Sequence, residues 1–344
     1  MRISGNSSAN NVRISAIIPS FNRADLIGET LRSLLSQSLP PHEVIVVDDG
    51  SGDGTPDVVA SFGSEVTLVR QANAGPGPAR NTGFARACGD VIHFMDSDDL
   101  CAPENYALAA AAFAAGADMT YGPWLKTRIA GNLLDPEAVA VQQHPVPAGP
   151  QMSALVLMMD WDTVLQPCFF RRELIERAGP YRSDLKTCED VELLYRITRL
   201  ARAPMHVPGG LVLYRVHPEN QISQQNFVAR LHDQARLCAV FQENLDARLD
   251  LNQALRRRFK QKTLDVAAEL ALLAPSAEHR LLSEATWLDQ RTRGVRRLAR
   301  RLAGKLTHLR EGHRYTAPYA AAPLHQGQRE QIARMGYVLP HGPD

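Results

Sequence analysis

The chain has 344 residues, of which 44% are hydrophobic and 22% are charged, values that are ordinary for a globular protein with a full core. Its 38 Lys and Arg nearly balance 37 Asp and Glu, so the net charge of +1 does not indicate a nucleic-acid partner. The sequence lacks an apolar run of about 18 residues, a signal-peptide core and a CxxC pair. These features favour a cytoplasmic protein with reduced cysteines, soluble or peripheral to a membrane.

Apolar runs alternate with helical segments over the first hundred residues. Four runs rich in Val and Ile predict strands, and they are ISAIIP (14–19), EVIVVDD (43–49), VTLVR (66–70) and DVIHFMD (90–96). Helices are predicted between them at 25–37, 55–62 and 81–87. Strands of this composition, separated by helices, favour a mostly parallel sheet that is covered on both faces.

The pattern becomes less regular after the fourth strand. A helix and a short strand are predicted over 103–122, and the Pro- and Gly-rich stretch 129–152 is predicted to be a loop. Residues 163–200 are typical of a strand, a helix, a loop and a second helix, and two short strands follow Pro204. From 224 to about 310 the apolar residues recur with a helical period.

We predict three segments: a flexible N-terminus (1–11), an α/β domain (12–222), and a helical C-terminal region with a flexible tail (223–344). Within the last segment, residues 291–310 place leucines on one helical face and arginines on much of the remainder, with no acidic residue. Such a helix fits contact with an anionic membrane surface. It equally fits packing against the preceding helices or against a second subunit.

Carboxylates follow two of the predicted strands directly. Asp48 and Asp49 end the second strand, and Asp96, Asp98 and Asp99 follow the fourth. Taken alone, each group also fits a turn or a helix cap, since Asp is favoured in both. Parallel strands deliver their carboxyl ends to one rim, where ligands bind in open sheets. Their joint placement therefore favours one shared site, with a divalent metal as the candidate ligand.

Four segments, in this order, resemble the glycosyltransferase family 2 enzymes, which are inverting, sugar-nucleotide-dependent transferases of the GT-A fold. The segments are ISAIIPSFNR (14–23), EVIVVDDGSGDGT (43–55), NAGPGPARNTGFARACGDVIHFMDSDD (73–99) and TCEDVELLYR (187–196). The resemblance covers roughly residues 14–217. It implies a GT-A α/β fold for the predicted domain, a mostly parallel sheet flanked by helices, with the helical C-terminal region as an extension.

The resemblance also implies the residues that bind the donor. It implies that Pro19 and Asp49 hold the base and the ribose of the nucleotide, and that Arg80 approaches the nucleotide. Asp96 begins the implied DxD motif, Asp96-Ser97-Asp98, which lies at the ribose and the metal. On an extended chain, side chains two positions apart project from the same face, so Asp96 can reach the ribose hydroxyls or water on the metal.

Metal and acid–base chemistry point to further residues. A diphosphate binds a rim of carboxylates only with a cation between them, so Asp98 is predicted to be a ligand of Mn²⁺ or Mg²⁺. His217 is a second candidate, for the metal or the diphosphate, and otherwise a packing residue. The resemblance implies that Asp190 of the Glu-Asp pair is the catalytic base. Glu189 is the next candidate for this role. Both residues also fit acids that stabilise a helix N-terminus. Trp161 fits stacking on a sugar as well as a core position.

These features predict an inverting glycosyltransferase that moves a sugar from a nucleotide-diphosphate donor, a UDP-sugar first, to a hydroxyl of a saccharide or lipid-linked acceptor. Bacterial polysaccharide or glycoconjugate synthesis is the expected setting, and no nucleic acid is expected as a partner. One alternative is a nucleotidyltransferase on a similar sheet, which usually carries a Gly-rich loop that PSFNRAD (19–25) lacks. The other is a non-catalytic sugar-nucleotide or carbohydrate-binding protein, which would tolerate loss of Asp190.

Overall fold

A computed structural model of the chain describes residues 11–136, 140–146, 164–185, 187–217, 233–234, 236–237 and 322–339. Trp161 and the Arg-rich stretch 291–310 lie outside the described residues, so their predicted roles, like the cytoplasmic location, stay predictions. Within the described ranges, every helix is too short or too polar to cross a bilayer.

The elements follow the predicted alternation of strands and helices. In the first part of the chain they are β1 (Ile14–Ser20), α1 (Ile27–Leu35), β2 (Glu43–Asp48), α2 (Thr55–Ala60), β3 (Thr67–Arg70), α3 (Pro76–Arg86), β4 (Val91–Phe94), β5 (Leu100–Cys101) and α4 (Asn105–Ala114). They continue with β6 (Met119–Tyr121), β7 (Trp124–Ala130), β8 (Leu133–Pro136), β9 (Phe169–Arg171), α5 (Arg172–Ala178), α6 (Glu189–Leu200), β10 (Pro204–His206), β11 (Val212–Arg215) and α7 (Gln326–Arg334).

Two sheets are formed by these strands. In the larger one the described strands have the order β10-β6-β9-β4-β1-β2-β3, and all neighbours are parallel except β9, which is antiparallel to β4 and β6. The smaller sheet has the order β5-β11-β7-β8 and is mixed. The prediction of a mostly parallel sheet is confirmed, but strand composition did not indicate the reversed direction of β9.

The alternation of side chains along the central strands builds two cores. Ile17 of β1 and Val47 of β2 face one cluster, which includes residues of α3, α5 and α6. Their neighbours Ile18 and Val46 face the opposite cluster, with residues of α1, α2 and α4. Because both faces are buried, these strands are apolar along their whole length and their carboxyl ends open at one rim of the sheet.

Two predicted boundaries were wrong. Helix α3 begins at Pro76 rather than at residue 81, because proline fits the first turn of a helix, where its missing N–H costs nothing. The predicted loop 129–152 overlaps the antiparallel hairpin of β7 and β8. A two-residue Gly131-Asn132 turn joins these strands, with Gly131 at a φ of 61°, a conformation that glycine adopts without strain.

Helix α3 packs so closely on the sheet that a side chain at Gly83 has no room. A methyl group there would clash with Cγ2 of Ile17 and lie 3.3 Å from Cγ2 of Val47. We expect Gly83→Ala to lower the free energy of unfolding by about 1–3 kcal/mol, because overpacking outweighs the roughly 1 kcal/mol gain in helix propensity. Urea unfolding measures this. Gly52→Ala is the control, since nothing lies within 4 Å of its added methyl group; a Gly83→Ala protein as stable as the control would contradict the prediction.

Candidate active site

Three carboxylates meet in the loop between β4 and β5. Asp96, Asp98 and Asp99 each offer one oxygen, and these oxygens all lie within 4.8 Å of one another. Asp99 is the most buried, with 1% of its surface exposed. Like charges so close together in a buried loop require cations or donors from elsewhere in the fold.

Asp98 has two basic partners from different parts of the chain. Its Oδ2 lies 3.3 Å from Nε of Arg23, which follows β1, and 3.1 Å from Nε2 of His217, which follows β11. Burial alone would raise the pKa of Asp98, but the hydrogen bond of His217 and the charge of Arg23 outweigh it and lower the pKa. The carboxylate is therefore held in its charged form.

Asp99 is satisfied differently. Its Oδ1 accepts a hydrogen bond of 2.8 Å from the backbone N–H of Arg215. Its Oδ2 is buried and has no hydrogen-bond partner among the described residues. Burial, together with the charges of Asp98 and Asp96, raises the pKa of Asp99 well above its usual range. Burial therefore favours the neutral form of Asp99 unless a cation lies beside this oxygen.

Asp96 lies between a cation and an amide. Its Oδ1 accepts a bond of 2.6 Å from Nη2 of Arg80, on α3, and its Oδ2 one of 2.5 Å from Nε2 of Gln166. Burial raises the pKa of Asp96 more than Arg80 lowers it. The guanidinium of Arg80 also lies 5.3 Å from the ring centroid of Tyr181.

The other terminal nitrogen of Arg80 reaches helix α6. Its Nη1 donates to Oε1 of Glu189 at 2.8 Å, and Glu189 is the first residue of α6. Burial and the neighbouring charge of Asp190 raise the pKa of Glu189 to about 7, against the opposing effect of Arg80. One buried guanidinium therefore joins the carboxylate cluster to the beginning of α6.

Asp190 is the second residue of α6 and is half-buried. Its Oδ1 accepts the backbone N–H of Val191 at 2.8 Å, a contact typical of acids in a first helical turn. Because Asp190 directly follows Glu189, the ion pair with Arg80 anchors the backbone next to Asp190. The contacts of Asp190 with its own helix are compatible with both predicted roles, base and helix cap.

Pro19 and Asp49 lie at the carboxyl ends of β1 and β2, on the same rim as the cluster. The carboxylate of Asp49 accepts bonds from Nε2 of Gln71 and from the backbone N–H groups of Ala74 and Gly75, at 2.7–3.0 Å. In this structure it fastens the loop that leads into α3. Its predicted contact with the nucleotide stays a prediction.

Three contacts of the site were not predicted from the sequence. They are the pairing of Arg23 with Asp98, the amide of Gln166 on Asp96, and the role of Glu189 as a partner of Arg80. Arg23 is the last residue of the segment ISAIIPSFNR (14–23), so the sequence carried a local signal for it. Gln166 carries no local signal, because its partner lies 70 positions away in the chain.

Gln166 is itself held by a buried histidine of the central sheet. Nε2 of His93, on β4, lies 2.7 Å from the carbonyl oxygen of Gln166, so this nitrogen donates. Nδ1 lies 2.8 Å from the hydroxyl of Tyr106 and accepts from it. His93 also stacks on Phe169, at 4.1 Å between ring centroids. These contacts fix the neutral tautomer of His93 that carries its proton on Nε2.

Burial lowers the pKa of His93 from 6.5 to about 4. Between these two values the unfolded chain binds a proton that the folded protein excludes, so stability falls as the pH falls from 6.5 towards 4. We expect a loss of up to about 3 kcal/mol over this window from His93 alone. Urea unfolding at pH 7 and pH 5 measures about 2 kcal/mol of this loss. His93→Gln should reduce the difference between the two pH values, and His42→Gln, at an exposed position, should not. Equal pH dependence in both variants would contradict the assignment.

Comparison with known proteins finds relatives for part of the chain. Residues 15–145 match the family described as Glycosyl transferase family 2. The chain is 28% identical over 253 residues to the succinoglycan biosynthesis protein ExoO of Rhizobium meliloti, covering 72% of this chain and 68% of that protein. The chain spans less than two thirds of the first curated relatives that it matches, 30% of one and 61% of another.

Solved structures share the fold of the chain. S. aureus TarS 1–349 in complex with UDP-GlcNAc has a TM-score of 0.51 at 20% identity, over 77% of this chain and 74% of that one. The mannosyltransferase PcManGT from Pyrobaculum calidifontis, in complex with GDP-Man and Mn²⁺, has a TM-score of 0.50 at 21% identity, over 94% and 86%. The GT-A-type α/β fold that the sequence predicts is confirmed.

Proposed function

We propose that the chain is an inverting glycosyltransferase, which transfers a sugar from a nucleotide-diphosphate donor to a hydroxyl of its acceptor. One observation carries this proposal: Arg80 joins Asp96 of the carboxylate cluster to Glu189, the residue that precedes Asp190. The same guanidinium thus links the proposed donor-binding carboxylate to the beginning of α6, where the proposed base lies. The family 2 match over residues 15–145 supports the reaction class.

The donor set of the cluster fits a divalent metal. Asp96, Asp98 and Asp99 supply hard carboxylate oxygens within 4.8 Å of one another, and Oδ2 of Asp99 has no partner among the described residues. We propose that Asp98, with Asp96, holds Mn²⁺ or Mg²⁺, with His217 beside it. When bound, such an ion stabilises the negative charge of the departing diphosphate.

Asp190 is proposed as the general base. An acceptor hydroxyl must lose its proton when it attacks the anomeric carbon, and a carboxylate within hydrogen-bond reach accepts that proton. The Arg80–Glu189 ion pair supports this assignment because it fixes the beginning of α6 relative to Asp96. Glu189 is engaged by Arg80, which leaves Asp190 as the better candidate of the pair.

The donor is proposed to be a UDP-sugar, with Pro19 and Asp49 at its nucleoside and Asp96 at its ribose. TarS is solved with UDP-GlcNAc, which supports a nucleotide sugar, whereas PcManGT is solved with GDP-Man. For the acceptor we propose a saccharide or a lipid-linked saccharide of a bacterial polysaccharide pathway. The similarity to a succinoglycan biosynthesis protein supports that class.

Asp98→Asn is expected to weaken the Mn²⁺-dependent binding of UDP at least about tenfold, because a metal ligand loses its charge. Isothermal titration with UDP, in Mn²⁺ and in EDTA, measures the effect. Asp57→Asn, an exposed carboxylate on α2, is the matched control and should bind UDP as the wild type does. If UDP and the other nucleoside diphosphates bind as tightly in EDTA as in Mn²⁺, the metal assignment is refuted.

Asp190→Asn is expected to lower the rate of sugar transfer 10²–10⁴-fold, the usual effect of losing a general base. Its affinity for UDP in Mn²⁺ should stay within about twofold of the wild type, because the base acts on the acceptor. The assay measures release of nucleoside diphosphate from the donor that a screen of nucleotide sugars selects, with Asp57→Asn again as control. Turnover near the wild-type rate would move the role to Glu189.

A further inference from the structure

The segment 322–339 packs against the smaller sheet, far along the chain from it. Ala322 forms an antiparallel bridge with Ala140, and Val338 a parallel bridge with Leu133. Ile332, on the inner side of α7, is 1% exposed and belongs to the core cluster of that sheet. The segment thus completes a hydrophobic core that the smaller sheet does not cover by itself.

Buried amides make this contact specific. Gln328 is 1% exposed, and its side chain exchanges hydrogen bonds of 2.8 and 3.2 Å with Gln143. Nε2 of Gln331 donates to the carbonyl oxygen of Gly209 at 2.8 Å. A buried amide is costly without partners, so these pairings favour one register of the segment on the sheet.

Two strands of the smaller sheet, β5 and β11, lead directly to residues of the carboxylate cluster or to their partners. Strand β5 begins at Leu100, directly after Asp99, and β11 ends at Arg215, two residues before His217. A shift of the smaller sheet would therefore move Asp99 and His217, one of the two partners of Asp98. The position of the sheet is set in part by what packs on it.

A polar chain leads from the segment to the cluster. The hydroxyl of Tyr337 lies 3.5 Å from Oε2 of Glu29, on α1. The same oxygen accepts a charged hydrogen bond of 2.7 Å from Nη2 of Arg215, whose side chain is 6% exposed. The backbone N–H of Arg215 donates to Oδ1 of Asp99. Burial and the charge of Glu29 raise the pKa of Tyr337, so the phenol stays a donor.

We propose that residues 322–339 belong to the catalytic domain, and that Tyr337 and Glu29 are positioning residues that hold Arg215, and through it Asp99 and His217, in place at the carboxylate cluster. The consequence for donor binding rests on the proposed function, whereas the positioning itself is a property of the protein without ligand.

The first test measures amide hydrogen exchange over residues 211–217 in the full-length protein without metal. Glu29→Gln should speed exchange at the Arg215 amide about tenfold, because a charged hydrogen bond is weakened. Tyr337→Phe, which removes only the hydroxyl, should speed it about threefold. Arg334→Ala is the matched control: it breaks an exposed ion pair between the same segment and Glu104, away from Arg215, and should leave this exchange unchanged.

The second test measures UDP affinity in Mn²⁺ for the same variants, after thermal unfolding has shown that all are folded. We expect Glu29→Gln and Tyr337→Phe to weaken binding by factors similar to their effects on exchange, and Arg334→Ala to have none. Exchange no faster than in Arg334→Ala overturns the positioning role. Faster exchange with unchanged UDP affinity overturns the consequence for donor binding, since the segment would then stabilise only the fold. A wild type that binds no UDP refutes the proposed function instead, and the exchange data alone then decide the positioning.

Discussion

The geometry of the candidate active site depends on the buried guanidinium of Arg80. It contacts Asp96 at 2.6 Å and Glu189 at 2.8 Å, and its side chain is 5% exposed. Two carboxylates on one cation is a stable arrangement only while both remain, because a buried charge without a partner costs several kcal/mol. Helix α3 therefore holds the end of β4 and the start of α6 at a fixed separation.

The cluster of aspartates keeps its charges apart by giving each a different partner. Asp96 has Arg80 from α3, and Asp98 has Arg23 and His217 from two other places in the chain. The carboxylate of Asp99 has only the backbone N–H of Arg215 among its described hydrogen-bond partners. Within four residues, one carboxylate is therefore held charged, whereas the pKa values of the other two are raised. The partners of each carboxylate, and not burial alone, set its charge.

The sequence was most informative where a residue's environment is local. The apolar runs of β1, β2 and β4 and the carboxylates at the ends of β2 and β4 were predicted, because strand period and turn chemistry act over a few residues. Arg80 was assigned to the nucleotide, yet its partner Glu189 lies 109 positions away, and no local pattern encodes that pairing. Gln166 was missed for the same reason. The start of α3 was missed because Pro76 and Gly77 read as a loop in isolation.

The reversed strand β9 has a consequence for how the chain is made. It fills the gap between β4 and β6, so the outer edge of β4 has unpaired N–H and C=O groups until residues 169–171 arrive. An exposed edge with apolar neighbours is a template for pairing with other chains. A nascent or truncated chain that ends between 95 and 168 would present that edge to solvent and be prone to aggregate. Pieces of this protein meant to stay monomeric in solution should therefore extend past residue 171.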